Sequence, residues 1–394
     1  MSDNVYYCSC CGGIMEFDVE SQTLKCPNCD TQINIVNEES KIVEHNFSRR
    51  VANTIKATEK QSSTMICNGC GATVEVSADC TATECVYCGS SYVLAEKQAD
   101  ALIPDGVCPF TVTKSDVKEK YEKWIKKRWL APNNLKHLYE TDKIQGMYVP
   151  YWTFDADVDC TYTAKGGKNR KEKVKNSDGS VTEKTVTDWY NTSGRIHENF
   201  DDVQVMATSN HKASHLRGIE PFDTKNQLKS YSPEYLSGYS SECFSVSLDD
   251  AHETAVRKME TELRDSVRAD VRRRYDEVKD IRISPHYKDE TYKHVLVPVY
   301  ATAYAYKGKS YNVLINGQNG KINGDYPKSP VKIAIIIAII IAIIVGILLA
   351  KSSGGSNNSN DVASVYTSEY ICDNIIDEEI VDNNIVYDVD YVEI

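Results

Sequence analysis

Residues 333–350 read IAIIIAIIIAIIVGILLA, eighteen consecutive residues without a charged or polar side chain. As an α-helix this stretch is about 27 Å long, close to the hydrocarbon thickness of a lipid bilayer. A surface helix of a globular domain keeps a polar face, and this stretch has none. Lys332 and Lys351 border it on its two sides. The sequence therefore predicts one transmembrane helix over residues 331–351 rather than a buried core helix.

The flanking charges predict the orientation of this helix. Lys321, Lys328 and Lys332 lie before it, whereas Lys351 is the one nearby base after it. Because positively charged residues stay on the cytoplasmic side, we expect a single-pass protein of the cell membrane with its amino-terminal part in the cytoplasm. The first thirty residues are polar and rich in cysteine, so they predict no signal peptide, and the span itself would direct insertion.

Most of the net charge of −12 lies after the apolar stretch. Residues 351–394 contain one lysine and ten acidic residues, a charge of −9, which leaves −3 for the first 350 residues. A flexible spacer rich in Ser, Gly and Asn comes first, and Ile, Val and Tyr alternate with acidic residues further on. A strand over residues 385–392 is compatible with this alternation. The charge favours an acidic tail over residues 352–394 that is disordered until it binds a partner.

Ten of the fourteen cysteines lie in the first 88 residues, mostly as C-x2-C pairs. Two sets with the spacing C-x2-C-x14-C-x2-C repeat each other 59 positions apart. A reducing cytoplasm disfavours disulfides, and two residues between cysteines let one tight turn present both thiolates to a tetrahedral zinc ion. We therefore expect two structural Zn2+ sites. Their predicted ligands are Cys8, Cys11, Cys26, Cys29, Cys67, Cys70, Cys85 and Cys88.

Each cysteine set predicts a small zinc ribbon, the first over residues 1–37 and the second over residues 64–96. A polar linker over residues 38–63 joins them. Residues 14–19 and 73–77 alternate as short strands do. Units of this size bury too little apolar surface to fold alone, so the metal would supply their stability.

Coordination by four thiolates leaves no open position on zinc, so both sites are expected to be structural rather than catalytic. Cys10 and Cys80 are left over from the two sets. Cys10 is an alternative ligand to Cys11, although Cys11 has the matching spacing. Ordinary free thiols are the favoured interpretation of both residues.

The charges of the ribbons disfavour nucleic acid as their partner. Residues 1–40 contain seven acidic residues and Lys25 as the single base, and residues 61–96 contain no Lys or Arg. Each four-thiolate zinc site adds further negative charge. Because neutralised phosphates supply the non-specific affinity for DNA, the ribbons favour protein partners or a purely architectural role.

Residues 97–330 have the pattern of an α+β domain with an antiparallel sheet next to the membrane. A helix is predicted over residues 113–130, where Thr113 and Asp116 have the spacing of a capping arrangement. A long helix is predicted over residues 248–279, because its apolar residues fall on one face. The predicted strands begin near residue 147 and also cover residues 294–306 and 310–316.

Residues 165–175 read KGGKNRKEKVK, with six bases against Glu172. The turn signal SDGS follows at residues 177–180, so the stretch predicts a basic hairpin. Contact with anionic lipid or nucleic acid is one interpretation of this hairpin. A solvated hairpin tip is the favoured one.

No set of residues predicts catalysis. His211 and His215 are four apart and could share a helical face as metal ligands, but they lack a carboxylate at fixed spacing, and a surface loop is favoured. Cys108, Cys160 and Cys243 have no recognisable nucleophile context. We therefore predict that the protein is not an enzyme. The scattered histidines are His137, His197, His211, His215, His252, His286 and His294.

Six stretches carry a family resemblance that covers roughly residues 64–330. They are PF at 109–110, residues 124–132, MYVPYWTFDAD at 147–157, YLSGYSSE at 235–242, LVPVY at 296–300 and INGQNGKINGDYP at 315–327. With them the chain resembles a group of uncharacterised bacterial membrane proteins with an amino-terminal zinc ribbon. Such proteins are often labelled TFIIB-type zinc ribbon or primosomal replication-restart helicase-like. The resemblance implies no activity for any residue.

The helicase label is not supported by a nucleotide site. A motor needs the phosphate loop G-x-x-x-x-G-K-[ST]. The nearest stretches, at residues 166–168 and 317–321, lack both the spacing and the Ser or Thr. No nucleotide is therefore expected as a ligand.

The favoured function is a membrane-anchored zinc-ribbon adaptor or scaffold that binds protein partners on the cytoplasmic face. The alternative is a membrane-associated nucleic-acid-binding protein, related to replication or transcription and without motor activity. That alternative would use the basic residues 165–175 together with Arg49 and Arg50 of the linker.

Overall fold

The computed structural model describes residues 6–36, 42–49, 103–133, 144–175, 180–209, 211, 213–242, 244–307 and 309–353, together with strands at 62–66, 73–77, 80–84 and 91–93. The chain divides into two compact units. The first unit contains Met1–Lys127 and Leu138–Asp325. The second contains Arg128–His137 and Tyr326–Ile394.

Strands dominate the first unit. In chain order the strands are β1 Glu16–Asp18, β2 Thr23–Lys25, β3 Gln32–Ile33, β4 His45–Asn46, β5 Ser62–Ile66, β6 Thr73–Ser77, β7 Cys80–Glu84, β8 Ser91–Val93, β9 Gly106–Val107, β10 Gln145–Lys175, β11 Val181–Met206, β12 Lys229–Ser230, β13 Ser240–Glu242, β14 Glu277–Tyr306, β15 Lys309–Asn316 and β16 Ile322–Gly324. The helices are α1 Lys114–Lys127, α2 Ala213–Ile219, α3 Thr224–Gln227, α4 Leu248–Arg272 and α5 Pro330–Ser353, with a 3-10 helix at Pro233–Leu236.

The main sheet has the strand order β12-β9-β14-β10-β13-β7-β8 within the described parts of the chain. Strand β11 pairs with β10, while β15 and β4 pair with β14 and β16 pairs with β15. The long pairs are antiparallel, as predicted. However, β13 runs parallel to β10, and β9 runs parallel to β14, so the sheet is mixed and the predicted antiparallel pairing holds only in part. Both exceptions are very short strands that reach the sheet through loops, where no hairpin turn fixes their direction.

Strict alternation along β10 explains why helix α4 packs on its carboxyl half. From Phe154 to Ala164 every second side chain is buried, and the intervening ones are at least partly exposed and carry charges or hydroxyl groups. Helix α4 adds a matching apolar stripe, and burial of these side chains against each other drives the packing. The buried core of this layer consists of Trp152, Phe154, Ala156, Val158, Cys160, Phe200, Val205, Ala207, Phe244, Leu248, Ala251, Ala255, Met259, Leu263 and Tyr292.

The amino half of β10 is buried on both faces. A second core lies on the face opposite to α4 and includes helix α2. Near-continuous burial from Tyr148 to Phe154 fits a strand that is covered on both sides. The members of this second core are Val149, Tyr151, Leu216, Ile219, Phe222, Val295, Val297, Val299 and Leu314.

Helix α4 ends at Arg272 rather than at residue 279 as predicted. It begins as expected, where Asp250 N donates to Ser247 Oγ (3.2 Å). After Val271, its last buried residue, the chain turns and starts β14 at residue 277, opposite Gly167 of β10. Cross-strand pairing thus overrides a helical pattern that continued in the sequence. For the same reason β14 begins at residue 277 and not at residue 294.

Helix α1 confirms its predicted cap but is shorter than predicted. Asp116 N donates to Thr113 Oγ1 (3.2 Å), and Val117, Tyr121 and Ile125 form the buried stripe. The helix covers Lys114–Lys127, so residues 128–130 of the predicted helix lie beyond its end.

The basic hairpin projects beyond the third strand. Strands β10 and β11 pair as far as Lys175 and Val181, whereas β14 starts only opposite Gly167. Residues 168–175 and 181–188 are therefore a two-stranded hairpin. This arrangement confirms the predicted hairpin, although most of its predicted turn lies outside the described residues.

Helix α5 is long and apolar enough to cross a membrane. The apolar segment is Pro330–Leu349, and none of it is buried against other described parts of the structure. Its even distribution of isoleucines leaves no polar face, in line with the prediction. The predicted acidic tail covers residues 352–394, and from residue 354 onward it lies outside the described residues.

The buried side chain of His294 makes the stability of the core depend on pH. Its ring packs against Trp152 and Phe244, with centroids 4.9 and 5.4 Å away, and within the described structure neither ring nitrogen has a hydrogen-bond partner. Burial lowers the pKa of His294 to about 3, against about 6.5 in an unfolded chain. Between these values the unfolded chain binds a proton that the folded chain does not. Its free energy of unfolding therefore falls as the pH drops below about 6.5, by up to about 1.4 kcal/mol per pH unit.

We expect His294→Phe to flatten this acid-side loss of stability, because phenylalanine keeps the ring packing and cannot be protonated. Urea unfolding of wild type and variant between pH 7 and pH 4 measures the slope. His286→Gln is the matched control, since His286 is exposed. An unchanged slope in His294→Phe would show that His294 does not cause the acid sensitivity.

Candidate metal centre

Four thiols converge at the base of the β1–β3 ribbon. Cys8 Sγ lies 3.5 Å from Cys29 Sγ, and Cys11 Sγ lies 3.5 Å from Cys26 Sγ. All four sulfur atoms lie within 4.8 Å of one another. Four sulfurs around a tetrahedral zinc, with Zn–S bonds of about 2.3 Å, are about 3.8 Å apart. The group fits a zinc ion in both donor chemistry and spacing.

The two cysteine pairs sit in turns of the same geometry. Gly12 N donates to Cys8 O (2.8 Å), and Asp30 N donates to Cys26 O (2.9 Å). Gly12 has φ +72° and Asp30 has φ +58°, so both adopt the left-handed conformation. The sequence shows glycine in the first turn and aspartate in the second, and aspartate tolerates this conformation better than most residues. Its carboxylate also pairs with Lys25 (3.1 Å).

Contacts within the cluster shift the pKa values of two of its thiols in opposite directions. At Cys29 the hydrogen bonds with Thr31, whose Oγ1 lies 3.1 Å from Cys29 Sγ, and those with the neighbouring sulfurs lower the pKa to about 6. This shift favours the thiolate, the form that binds zinc. At Cys11 the hydrogen bond with the Gly13 backbone lowers the pKa, but the neighbouring sulfurs and burial outweigh it and raise the pKa to about 12. A cation among the sulfurs would favour the thiolate at Cys11.

The structure separates Cys10 from this group. Cys11 belongs to the cluster, whereas Cys10 is exposed and outside it. The matching spacing therefore indicated the right cysteine of the two. The second predicted set, Cys67, Cys70, Cys85 and Cys88, lies outside the described residues. Nearby, β5 pairs with β6 and β7 with β8, and β7 also joins the main sheet through β13.

Through Phe17 the first ribbon is docked on the 3-10 helix Pro233–Leu236 and the residues that lead into β13. Phe17 N donates to Ser237 O (2.9 Å), and Ser237 Oγ donates to Met15 O (2.7 Å). The buried Phe17 ring lies edge-on to Tyr235, with centroids 5.3 Å apart, and near Tyr239. Main-chain and aromatic contacts therefore hold the metal site in a fixed place on the first unit.

A second acidic group, formed by Asp155, Asp201 and Asp202, is paired with two lysines. Lys293 Nζ lies 2.9 Å from Asp202 Oδ1 and 3.4 Å from Asp155 Oδ2. Lys225 Nζ lies 2.9 Å from Asp201 Oδ2. The two lysines therefore offset part of the negative charge of this group.

Lys293 is buried, and its charge depends on these carboxylates. Burial by itself lowers the pKa of Lys293, but the hydrogen bond with Asp202 and the attraction of Asp155 outweigh it and raise the pKa. A third carboxylate, Glu44, accepts from Lys293 Nζ at 3.0 Å. Burial in turn raises the pKa of Asp155. The cluster is a structural ion-pair network.

The histidines singled out in the sequence lie apart from one another. His215 is in helix α2, 3.1 Å from Asp325, whereas His211 precedes the helix and lies 3.1 Å from Glu242. The two therefore do not share a helical face as metal ligands. His137 lies outside the described residues.

Cys108 and Cys160 are buried thiols. Burial raises the pKa of Cys108 and of Cys160 above the usual range. Both are therefore protonated at neutral pH, which is unfavourable for a nucleophile. Cys243 lies outside the described residues.

The predicted linker contains an anchored segment that the sequence did not reveal. Strand β4 adds to β14, and Phe47 stacks on His252 with centroids 3.7 Å apart. His252 Nε2 lies 2.6 Å from Glu290 Oε2, and His45 Nε2 lies 2.6 Å from Asp105 Oδ1. The one available signal was an isolated aromatic residue, Phe47, in an otherwise polar stretch.

Comparison with known proteins assigns no activity to this chain. No protein-family profile matches the chain, and no solved structure is significantly similar to it. The chain is 29% identical over 329 residues to the uncharacterized protein YdjG of Bacillus subtilis (strain 168), which is 84% of this chain and 92% of that protein. The name of this relative states no function, so function rests on the residues described above.

Cys26→Ala should abolish metal binding at the first site, because three thiolates cannot complete the closed tetrahedral set. We expect it to hold one zinc ion per chain less than wild type, measured by metal analysis after purification with zinc. Cys10→Ala is the matched control and should retain the wild-type content. Equal zinc content in Cys26→Ala and wild type would show that the cluster is not a zinc site.

Lys293→Met should destabilise the first unit by about 3–5 kcal/mol, because it leaves buried carboxylates without a cation. Denaturant unfolding at pH 7 measures this loss, and acidification should narrow it as the carboxyl groups become protonated. Lys288→Met is the matched control, since Lys288 forms an exposed pair with Asp159 and its loss should cost much less. If both variants unfold alike, the buried network contributes nothing specific.

Proposed function

We propose that this protein is a membrane-anchored zinc-ribbon adaptor that binds protein partners on the cytoplasmic face. The observation that carries the proposal is the closed set of four thiols, held in a fixed place by Phe17. With four protein ligands a zinc ion has no position left for water or substrate, so the ribbon serves as a shape and not as a catalyst. The proposal assigns the protein no catalysis.

The surface of the first ribbon supports a protein partner. Tyr7, Ile33 and Val36 are exposed apolar side chains on a unit that is otherwise rich in acidic residues. Apolar and aromatic side chains on a rigid frame are typical anchors of protein interfaces. We include the second cysteine set in the proposal as a second structural zinc site, on the strength of its identical spacing.

The proposed anchor is helix α5. Its length, its composition and its lack of buried residues support a span of the membrane. The excess of lysines before the helix supports a cytoplasmic position for the body and an outer position for the acidic tail. The chain would then be a single-pass protein of the cell membrane, in keeping with its resemblance to zinc-ribbon membrane proteins.

Nucleic acid is the second candidate partner, because the exposed basic hairpin projects from the sheet. Acidic neighbours weaken this candidate: Arg170 lies 2.8 Å from Asp188, and Lys171 lies 3.4 Å from Glu183. These pairs reduce the positive charge that phosphate binding requires. Protein partners therefore remain the first choice.

Site-specific photo-crosslinking in native host cells tests the proposal. Benzoylphenylalanine at position 33 of the full chain should crosslink to one or a few proteins in the membrane fraction. Cys26→Ala should abolish these crosslinks because the ribbon loses its shape, while the chain stays in the membrane. Cys10→Ala should retain them, and Cys67→Ala applies the same test to the second set.

Three controls decide between the outcomes. Benzoylphenylalanine at Tyr190, an exposed residue of β11, shows which crosslinks are unspecific. Crosslinks at position 33 that persist in Cys26→Ala, or that equal those at position 190, would contradict the adaptor proposal. A crosslinked species that nuclease destroys would put the nucleic-acid candidate first.

A further inference from the structure

A turn in the second unit presents two apolar residues at its tip. Ala131 N donates to Arg128 O (3.0 Å), which closes the turn with Trp129 and Leu130 in the middle. Ser329 N, directly before helix α5, donates to Leu130 O (2.8 Å). The turn is therefore fastened to the start of the apolar helix.

Lys332 lies near the start of helix α5, and its ammonium group binds the turn at residues 128–131. Lys332 Nζ donates to Trp129 O (2.8 Å) and to Ala131 O (2.7 Å). A third bond reaches Asn133 Oδ1 (3.0 Å). Since an ammonium has three N–H donors, Lys332 uses all of them on this segment. The carbonyl groups at the tip are thus satisfied without water, as a backbone segment in a water-poor region requires.

These hydrogen bonds involve the carbonyl group of Trp129 and not its side chain. It is 61% exposed, although tryptophan is the largest apolar side chain. Its carbonyl is tied to Lys332, so the residue sits beside the boundary where the apolar run of α5 begins at Ile333. Tryptophan is enriched at this level in membrane proteins, because its ring is apolar and its N–H is polar.

A second aromatic residue and a cation lie at the same end of the helix. The Arg128 guanidinium lies over the ring of Tyr326, 5.3 Å from its centroid. Tyrosine shares the interfacial preference of tryptophan, and arginine is attracted to anionic headgroups. The composition of the segment therefore matches the boundary between lipid and water.

We propose that the turn at residues 128–131 is a second membrane contact, in which Trp129 inserts into the headgroup region of the leaflet where α5 begins. The partner is the phospholipid interface, because Lys332 fixes the height of Trp129 at the end of the apolar run. This inference rests on the proposed membrane anchor. Together the turn and α5 would hold the chain at two points and restrict rotation about the single span.

Fluorescence quenching in vesicles tests the inference. The full chain is reconstituted in phosphatidylcholine vesicles that contain lipids brominated either near the headgroup or near the bilayer centre. Wild type should be quenched by the shallow bromines, and Trp129→Phe should lose that quenching. Trp189→Phe is the matched control, because it also removes one tryptophan, and it should keep the quenching.

A marker in the helix separates the failure of this inference from the failure of the anchor. Ile340→Trp places a tryptophan near the middle of α5, where deep bromines should quench it. Deep quenching of Ile340→Trp together with equal shallow quenching of wild type and Trp129→Phe would overturn the inference and leave the anchor standing. Absence of deep quenching in Ile340→Trp would overturn both.

Discussion

Pairing of β10 with β11 on one side and with β14 on the other is the interaction on which the first unit depends. These three strands carry the charges outward and the aromatic residues inward, so helices α2 and α4 can cover them. The segment around Phe47 adds to β14, and the short strand β13 adds to β10. The buried Lys293 and its carboxylates join β14 to the neighbouring elements. A change that weakened the central strands would release all of these attachments together.

The ribbon that carries the four thiols is docked on the segment before β13, in the same unit as these strands. A ribbon on a free linker would sample many orientations, but Phe17 and Ser237 fix this one by main-chain bonds and a buried ring. Zinc would keep the ribbon folded, and the segment before β13 would keep it in place. Hydrogen bonds also hold a small segment in place at α5, where Lys332 and Ser329 bind the turn at residues 128–131 at the start of the helix. Rigid presentation of small surfaces lowers the entropy lost on binding, which suits an adaptor.

Features that depend on residues close together in the sequence were predicted well. The apolar run of α5, the cap at Thr113 and the choice of Cys11 over Cys10 each depend on spacing within a few residues. Features that depend on distant partners were not predictable in this way. The end of α4 at Arg272 follows from the pairing of the next strand with β10, and the buried charge of Lys293 follows from carboxylates far away in sequence. Short parallel strands were missed because two or three residues carry no periodic signal.

X-ray absorption at the zinc edge of the full chain tests the central claim most directly, namely that the metal sites are closed and structural. The account predicts a first shell of four sulfur atoms per zinc at about 2.3 Å, with no nitrogen or oxygen ligand. This first shell should also stay the same when small anions that could replace a metal-bound water are added. A shell of fewer than four sulfurs, completed by an oxygen that exchanges with solvent, would contradict it. An open coordination position would then make the ribbon a candidate catalytic site.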